Sequence, residues 1–272
     1  GAPVAGRASP VPPPLQFAVA GGLLLAPFVA HVVWLGNPSL LVTAALIACW
    51  RCADLRCPVL AGLLLALAAI KPQMAILAWL WMLLERRWTT VATAALATVA
   101  LSGYAMVVFG PIGAFRDWLG GIGFYLTSFE NESGCLHCFG VADLLAQWQI
   151  EVYLIELLAL VGVVLVWRER AVLTRLEVLA LLCCLTALFL PVHNYDLVLL
   201  APVIGVVAVL VAGRPWALLL GLAGLLAFYV PLRLVDALAL PLAVRWREVM
   251  LVAVCVLVVR AARRRASAAT PA

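Results

Sequence analysis

The stretch PVLAGLLLALAAIKPQMAILAWLWMLLE, residues 58–85, decides the architecture. Two apolar runs, 58–70 and 74–85, flank one polar break, Lys71-Pro72-Gln73. Neither run has the roughly 20 residues that a helix needs to cross a hydrocarbon core. Proline removes a backbone donor and pushes the preceding residue out of helical space, so the helix breaks at Lys71. An ammonium between two apolar helices is costly unless paired or hydrated. Irregular backbone at membrane depth is tolerated only inside protein or beside a watery cavity. The stretch predicts two short helices meeting at a cavity.

The rest of the chain repeats the pattern. Of 272 residues, 67% are hydrophobic and 11% charged, and the mean hydropathy is +1.15. Soluble domains carry about 25% charged residues, so a soluble enzyme, a nucleic-acid-binding domain and a disordered tail are all excluded. Ten apolar spans follow one another: 15–34, 38–53, 58–70, 74–85, 89–109, 152–167, 173–190, 197–212, 215–231 and 247–260. The fold expected is all-α, a polytopic transmembrane bundle of about ten helices. Its parts are a Pro/Ala-rich segment at 1–14, a membrane domain at 15–260 with an outer interfacial loop at 110–150, and a basic tail at 261–272.

Arginine sets the orientation. With a cytoplasmic N-terminus, the inner loops hold Arg7, Arg51, Arg56, Arg86, Arg87, Arg168, Arg170, Arg175, Arg214, Arg260, Arg263, Arg264 and Arg265, 13 of the 18 basic residues. Lys71, Arg116, Arg233, Arg245 and Arg247 remain outside. Short loops rich in Lys and Arg stay in the cytoplasm. The location expected is a bacterial cell membrane, crossed many times, with a cytoplasmic C-terminus and a cavity opening outward. The loop 110–150 mixes Phe115, Trp118, Phe124, Tyr125, Phe129 and Trp148 with Gly120, Gly121 and Gly123, as segments lying along a bilayer do. The start, Gly1-Ala2-Pro3, reads as an inter-helix loop exposed by truncation or as a processed end.

Three polar groups fall on the outer side. Lys71 is the only lysine beside 17 arginines; it either snorkels to the headgroups or faces the cavity and binds an anion, with Gln73 adding a hydrogen bond. Pro191-Val192-His193-Asn194-Tyr195-Asp196 ends one span, and Asp196 needs a partner among Lys71, His193 and Arg116. Pairing with Lys71 satisfies both charges; alternatively His193, Asn194 and Asp196 share a substrate hydroxyl or phosphate. The third group, Glu130-Asn131-Glu132, is either a solvated acidic loop or a base and sugar-hydroxyl acceptor. Cys135-Leu136-His137-Cys138 permits an outer-side disulfide. The other six cysteines lie in or beside apolar spans as packing residues. No metal or cofactor is expected.

These segments come in a recognisable order: Gly36-Asn37-Pro38, Arg56-Cys57-Pro58-Val59-Leu60-Ala61-Gly62, Lys71-Pro72-Gln73, Glu85-Arg86-Arg87-Trp88 and Phe109-Gly110. Together they resemble glycosyltransferase family 87, and Pro191 to Leu197 is similar to that family's late "P-Y-x-x-Y-D-L" segment, with Val192 in place of the first aromatic. The resemblance implies a GT-C type membrane enzyme, a mannosyltransferase, taking its sugar from a polyprenyl-phosphate donor. The acceptor would be a glycan or glycolipid on the extracytoplasmic face, with inversion at the anomeric carbon of the donor sugar. Lys71 would stabilise the departing phosphate, with Gln73, His193, Asn194, Tyr195 and Asp196 as the other binding residues. A carboxylate would take the acceptor's proton, Glu130 and Glu132 being the candidates in this chain. Such enzymes carry an Asp base on the first outer loop, whereas Leu35-Gly36-Asn37-Pro38 has no carboxylate, so that Asp is expected outside this chain. Broken helices with a buried Lys/Asp pair also suit a transporter or flippase for a lipid-linked anion, or a non-catalytic membrane subunit.

Overall fold

The computed structural model describes residues 27–127, 138–146, 149–150, 154–211, 224 and 246–269. They are almost wholly helical: α1 (Pro27–Leu35), α2 (Ser39–Asp54), α3 (Pro58–Ala68), α4 (Pro72–Leu84), α5 (Trp88–Phe109), α6 (Pro111–Thr127), α7 (Val141–Ala146), α8 (Leu157–Glu169), α9 (Arg175–Phe189), a 3-10 helix (Asn194–Leu200), α10 (Ala201–Val211) and α11 (Trp246–Ala269). Two-residue strands β1 (Cys138–Phe139) and β2 (Val192–His193) pair antiparallel, Cys138 opposite His193. Nine of the ten expected spans have a helix in place; the tenth, 215–231, lies outside the described residues except for Gly224. Among the described residues one helical run, Asn194–Val211, is long and apolar enough to cross a membrane, while α3 and α4 are apolar but shorter. The segment 110–150, expected as an interfacial loop, carries helices of its own, α6 and α7.

Proline places the helix starts. α1, α3, α4 and α6 each begin on one (Pro27, Pro58, Pro72, Pro111), where its missing N–H is an orphan anyway and its fixed φ suits the first turn. The break at Lys71 therefore lies earlier than Lys71-Pro72-Gln73: the chain leaves α3 through Ala69 and Ile70, and Gln73 is already inside α4. α1 ends on Gly36, whose φ of +62° lets Asn37 N–H reach Val32 O and Gly36 N–H reach Val33 O, a Schellman closure. Arg86 does the same work without glycine, at φ +56°, with Arg87 N–H on Met82 O.

α9 is the central helix, buried continuously from Glu177 to Leu188, as expected of a helix apolar on all sides. α8, α10, α4 and α11 pack on it. α3 and α5 meet at Gly62, where any Cβ would lie 2.6 Å from Thr90 O and Thr93 Cβ; small residues bring helix backbones together in this way in membrane bundles. Trp81 meets Trp167 edge-on at 5.2 Å.

Charges gather at the two ends of the bundle. At one, Arg175 Nε donates to Asp54 Oδ1 at 2.8 Å and its Nη1 to Glu85, while Arg87 Nε donates to Glu85 Oε2 at 2.6 Å. Arg263 pairs with Glu169 at 2.5 Å and Arg265 with Glu177 at 2.6 Å, tying the last turns of α11 to α8 and α9. Burial raises the Glu85 carboxyl, but Arg175, Arg87 and Trp81 together hold it below its ordinary value. A hydrogen bond from Arg263 likewise holds Glu169 low. At the other end lie Asn37, Lys71 and Asp196. The 16 residues of α2 join the two, a rise of about 24 Å.

Candidate functional site

Three segments meet at Lys71. The α1–α2 turn brings Asn37 and Ser39, the α3–α4 break brings Lys71 itself, and the 3-10 helix brings Asp196. Lys71 Nζ donates to Asp196 Oδ1 at 2.5 Å, to Ser39 Oγ at 2.9 Å and to Asn37 Oδ1 at 3.1 Å. Its side chain is 13% exposed and that of Asp196 is fully buried. Asp196 Oδ2 accepts the His193 N–H at 3.2 Å. The single Ser39 hydroxyl proton lies between Asp196 Oδ1 and Asn37 Oδ1, and the carboxylate is the stronger acceptor.

Local chemistry explains the placement. Asn37 Oδ1 accepts the Ser39 N–H at 3.1 Å and so satisfies a free donor at the start of α2; Asn is a preferred residue for this task. The 3-10 helix sets Asp196 three residues after His193, facing back on its N–H. Tyr195 turns its ring to Lys71, with Nζ 4.9 Å from the centroid, near enough for a cation–π contact. Its other face stacks on His193 at 5.0 Å and 4°. Val198 of the same 3-10 helix packs with Val29 and Val32 of α1, and Tyr195 lies against this small core.

Of the residues expected at the site, Lys71, Asp196, His193 and Tyr195 come together. Asn194 Oδ1 accepts from Arg247 Nη1 at 3.2 Å. Gln73, half-buried at the second position of α4, does not join the cluster. Arg116 lies exposed on α6, so the partner of Asp196 is Lys71. Glu130, Glu132 and Cys135 lie outside the described residues. Cys138 pairs its backbone with His193, so the end of the acidic loop is fastened beside the cluster. Asn37, Ser39 and Arg247 are the additions that the sequence reading lacked. Among the described residues no group of His, Cys, Asp and Glu is arranged to hold a metal ion.

The arrangement is a preorganised ammonium at one end of a helical bundle, held by one carboxylate and two neutral oxygens. It marks the chain as an α-helical protein with a largely buried Lys–Asp pair at the head of its bundle. The chain belongs to glycosyltransferase family 87: the family model matches residues 2–192. The protein is therefore a glycosyltransferase, which removes the transporter and the non-catalytic subunit as leading readings. The match ends before His193-Asn194-Tyr195-Asp196, so those residues enter the site on geometry alone. Comparison with curated proteins and with solved structures returned no match.

Proposed function

We propose that this protein is a multi-pass bacterial membrane glycosyltransferase that moves a mannose-type sugar from a polyprenyl-phosphate donor to a glycan or glycolipid acceptor. The reaction takes place at the extracytoplasmic face, the end that carries Lys71. The observation that carries the reading is the Lys71 ammonium, fixed by three acceptors yet still partly open. In the transfer, an acceptor hydroxyl oxygen bonds to the anomeric carbon as the bond from that carbon to the phosphate oxygen breaks. The bonding pair leaves with the polyprenyl phosphate, and the hydroxyl proton passes to a carboxylate. Lys71 meets the charge that develops on the leaving oxygen. Asp196 balances and aims Lys71, because its own oxygens are already engaged by Lys71, Ser39 and the His193 N–H. Tyr195 lies beside the ammonium and stacks on the buried His193, which fixes that side of the site. Glu130 and Glu132 are the candidate bases.

Lys71→Met tests the reading. Loss of a charged donor at a developing anion costs about 3–4 kcal/mol, so transfer from a polyprenyl-phosphate sugar should fall at least about a hundredfold while the protein still inserts. Lys71→Arg should recover part of the rate, since it keeps the charge but changes the donor geometry. Unchanged turnover in Lys71→Met would end the proposal.

A further inference from the structure

An ammonium has three N–H bonds, and all three of Lys71 are already spent, on Asp196, Ser39 and Asn37. An anion that binds Lys71 must therefore displace one acceptor. We infer that an incoming phosphate takes the place of the Asn37 amide oxygen, which makes Asn37 the residue that sets the affinity of the site. The proposal rests on the reading of Lys71 as the phosphate-binding group.

Three observations single out Asn37. Its contact with Lys71 is the longest of the three, 3.1 Å against 2.9 and 2.5 Å. Ser39 and Asp196 are buried, whereas Asn37 is partly exposed, so Asn37 is the one acceptor of the three that solvent reaches. Asn37 Oδ1 also keeps a donor when Lys71 leaves it, because the Ser39 N–H already points at it. Displacing Asn37 strands no polar atom, while displacing Asp196 would leave a buried carboxylate without its counter-charge. The exchange replaces a neutral acceptor with a charged one, and charge-assisted hydrogen bonds are about twice as strong as neutral ones. The ligand chemistry is a phosphate oxyanion, carried by a lipid or free.

Two substitutions move the affinity in opposite directions. Asn37→Asp still caps α2 but offers Lys71 a carboxylate that competes with phosphate. Asn37→Ser also caps α2, yet its shorter side chain releases one Lys71 N–H. Binding is measured on the full chain in lipid nanodiscs, with farnesyl phosphate and separately with inorganic phosphate as probes. Relative to the unaltered protein, Asn37→Asp should raise the Kd for farnesyl phosphate about tenfold or more, and Asn37→Ser should lower it about threefold, since these shifts correspond to one exchanged charged contact. If Asn37 only organises the turn, both substitutions weaken binding or neither does, and the inference falls. Asn37→Ser binding no more tightly than the unaltered chain overturns it equally. Lys71→Met separates the two claims. If it abolishes binding while the Asn37 variants leave affinity unmoved, the phosphate reading stands and the exchange is wrong. Farnesyl phosphate binding that survives Lys71→Met unchanged removes both. Inorganic phosphate binding as tightly as farnesyl phosphate, with the same opposite shifts, keeps the exchange and overturns the lipid donor.

Discussion

Lys71 Nζ and Asp196 Oδ1 stand 2.5 Å apart across 125 residues of chain. The contact fastens the break between two short helices to the start of the 3-10 helix. Removing one member of a buried pair leaves the other charge uncompensated, typically at a cost of about 3–5 kcal/mol. Asp196→Asn should therefore lower the melting temperature sharply, more than Asn194→Ala does. The double change, Lys71→Met with Asp196→Leu, should recover most of the stability and none of the transfer activity. An Asp196→Asn protein that melts like its parent but binds donor or acceptor poorly would assign Asp196 to a substrate hydroxyl instead.

Gly62 supports the site from below by letting α3 approach α5. A Cβ at this position meets Thr90 O and Thr93 Cβ at 2.6 Å, and neither is the tip of a flexible side chain. Gly62→Val should separate the helices and destabilise the protein by about 1–3 kcal/mol, the usual range for overpacking. Gly120→Val is the control, because nothing lies within 4 Å of its added Cβ. Equal melting temperatures for the two variants would contradict the close approach.

The apolar pattern and the positions of the turns were readable in the sequence because each is a local property. Proline at the first helical position, Gly36 after α1 and the Thr174–Glu177 capping box before α9 are signals of a few residues. The partnership of Lys71 with Asp196 was one of several open choices, since every charged group on that side was an equal candidate until packing chose between them. Ser39 was invisible as a site residue: its role depends on Asp196, 157 residues away. Asn37 did carry a local signal, a capping residue two before a helical serine, but nothing nearby told of its contact with Lys71. The arginines counted for orientation turn out to be partly spoken for, with Arg87, Arg175, Arg263 and Arg265 in ion pairs. Their pattern therefore encodes packing at that end of the bundle.

That charged end predicts a pH response. Glu85 is held below its ordinary value of 4.5 in the folded protein. A carboxyl with a depressed folded pKa contributes stability that is fully present above its unfolded value and is lost as pH falls through the folded one. Glu169, held low by Arg263, acts in the same direction. The melting temperature should be flat near neutrality and fall once the pH drops below about 4.5. Glu85→Gln should start lower at neutral pH and fall less steeply in acid. Parallel curves for the two proteins would mean that the Arg87–Glu85–Arg175 cluster adds nothing to folding.

Which end faces the cytoplasm decides whether the proposed chemistry is on the correct side, and two exposed positions can report it. Ser267 lies on the last turns of α11, close after Arg263 and Arg265, which bind Glu169 and Glu177. It therefore shares an end with Asp54, Glu85, Arg87 and Arg175. Arg116 lies exposed on α6, just after α5 closes at Gly110, at the end that carries Lys71. The positive-inside bias assigns the arginine-rich end to the cytoplasm. In a background with the native cysteines replaced, Arg116→Cys should react with a membrane-impermeant maleimide in intact cells. Ser267→Cys should react only after permeabilisation. Labelling of Ser267→Cys in intact cells, with Arg116→Cys protected, would place Lys71 at the cytoplasmic face. A polyprenyl-phosphate donor would then have to be met from inside, and the extracytoplasmic transfer proposed here would be withdrawn.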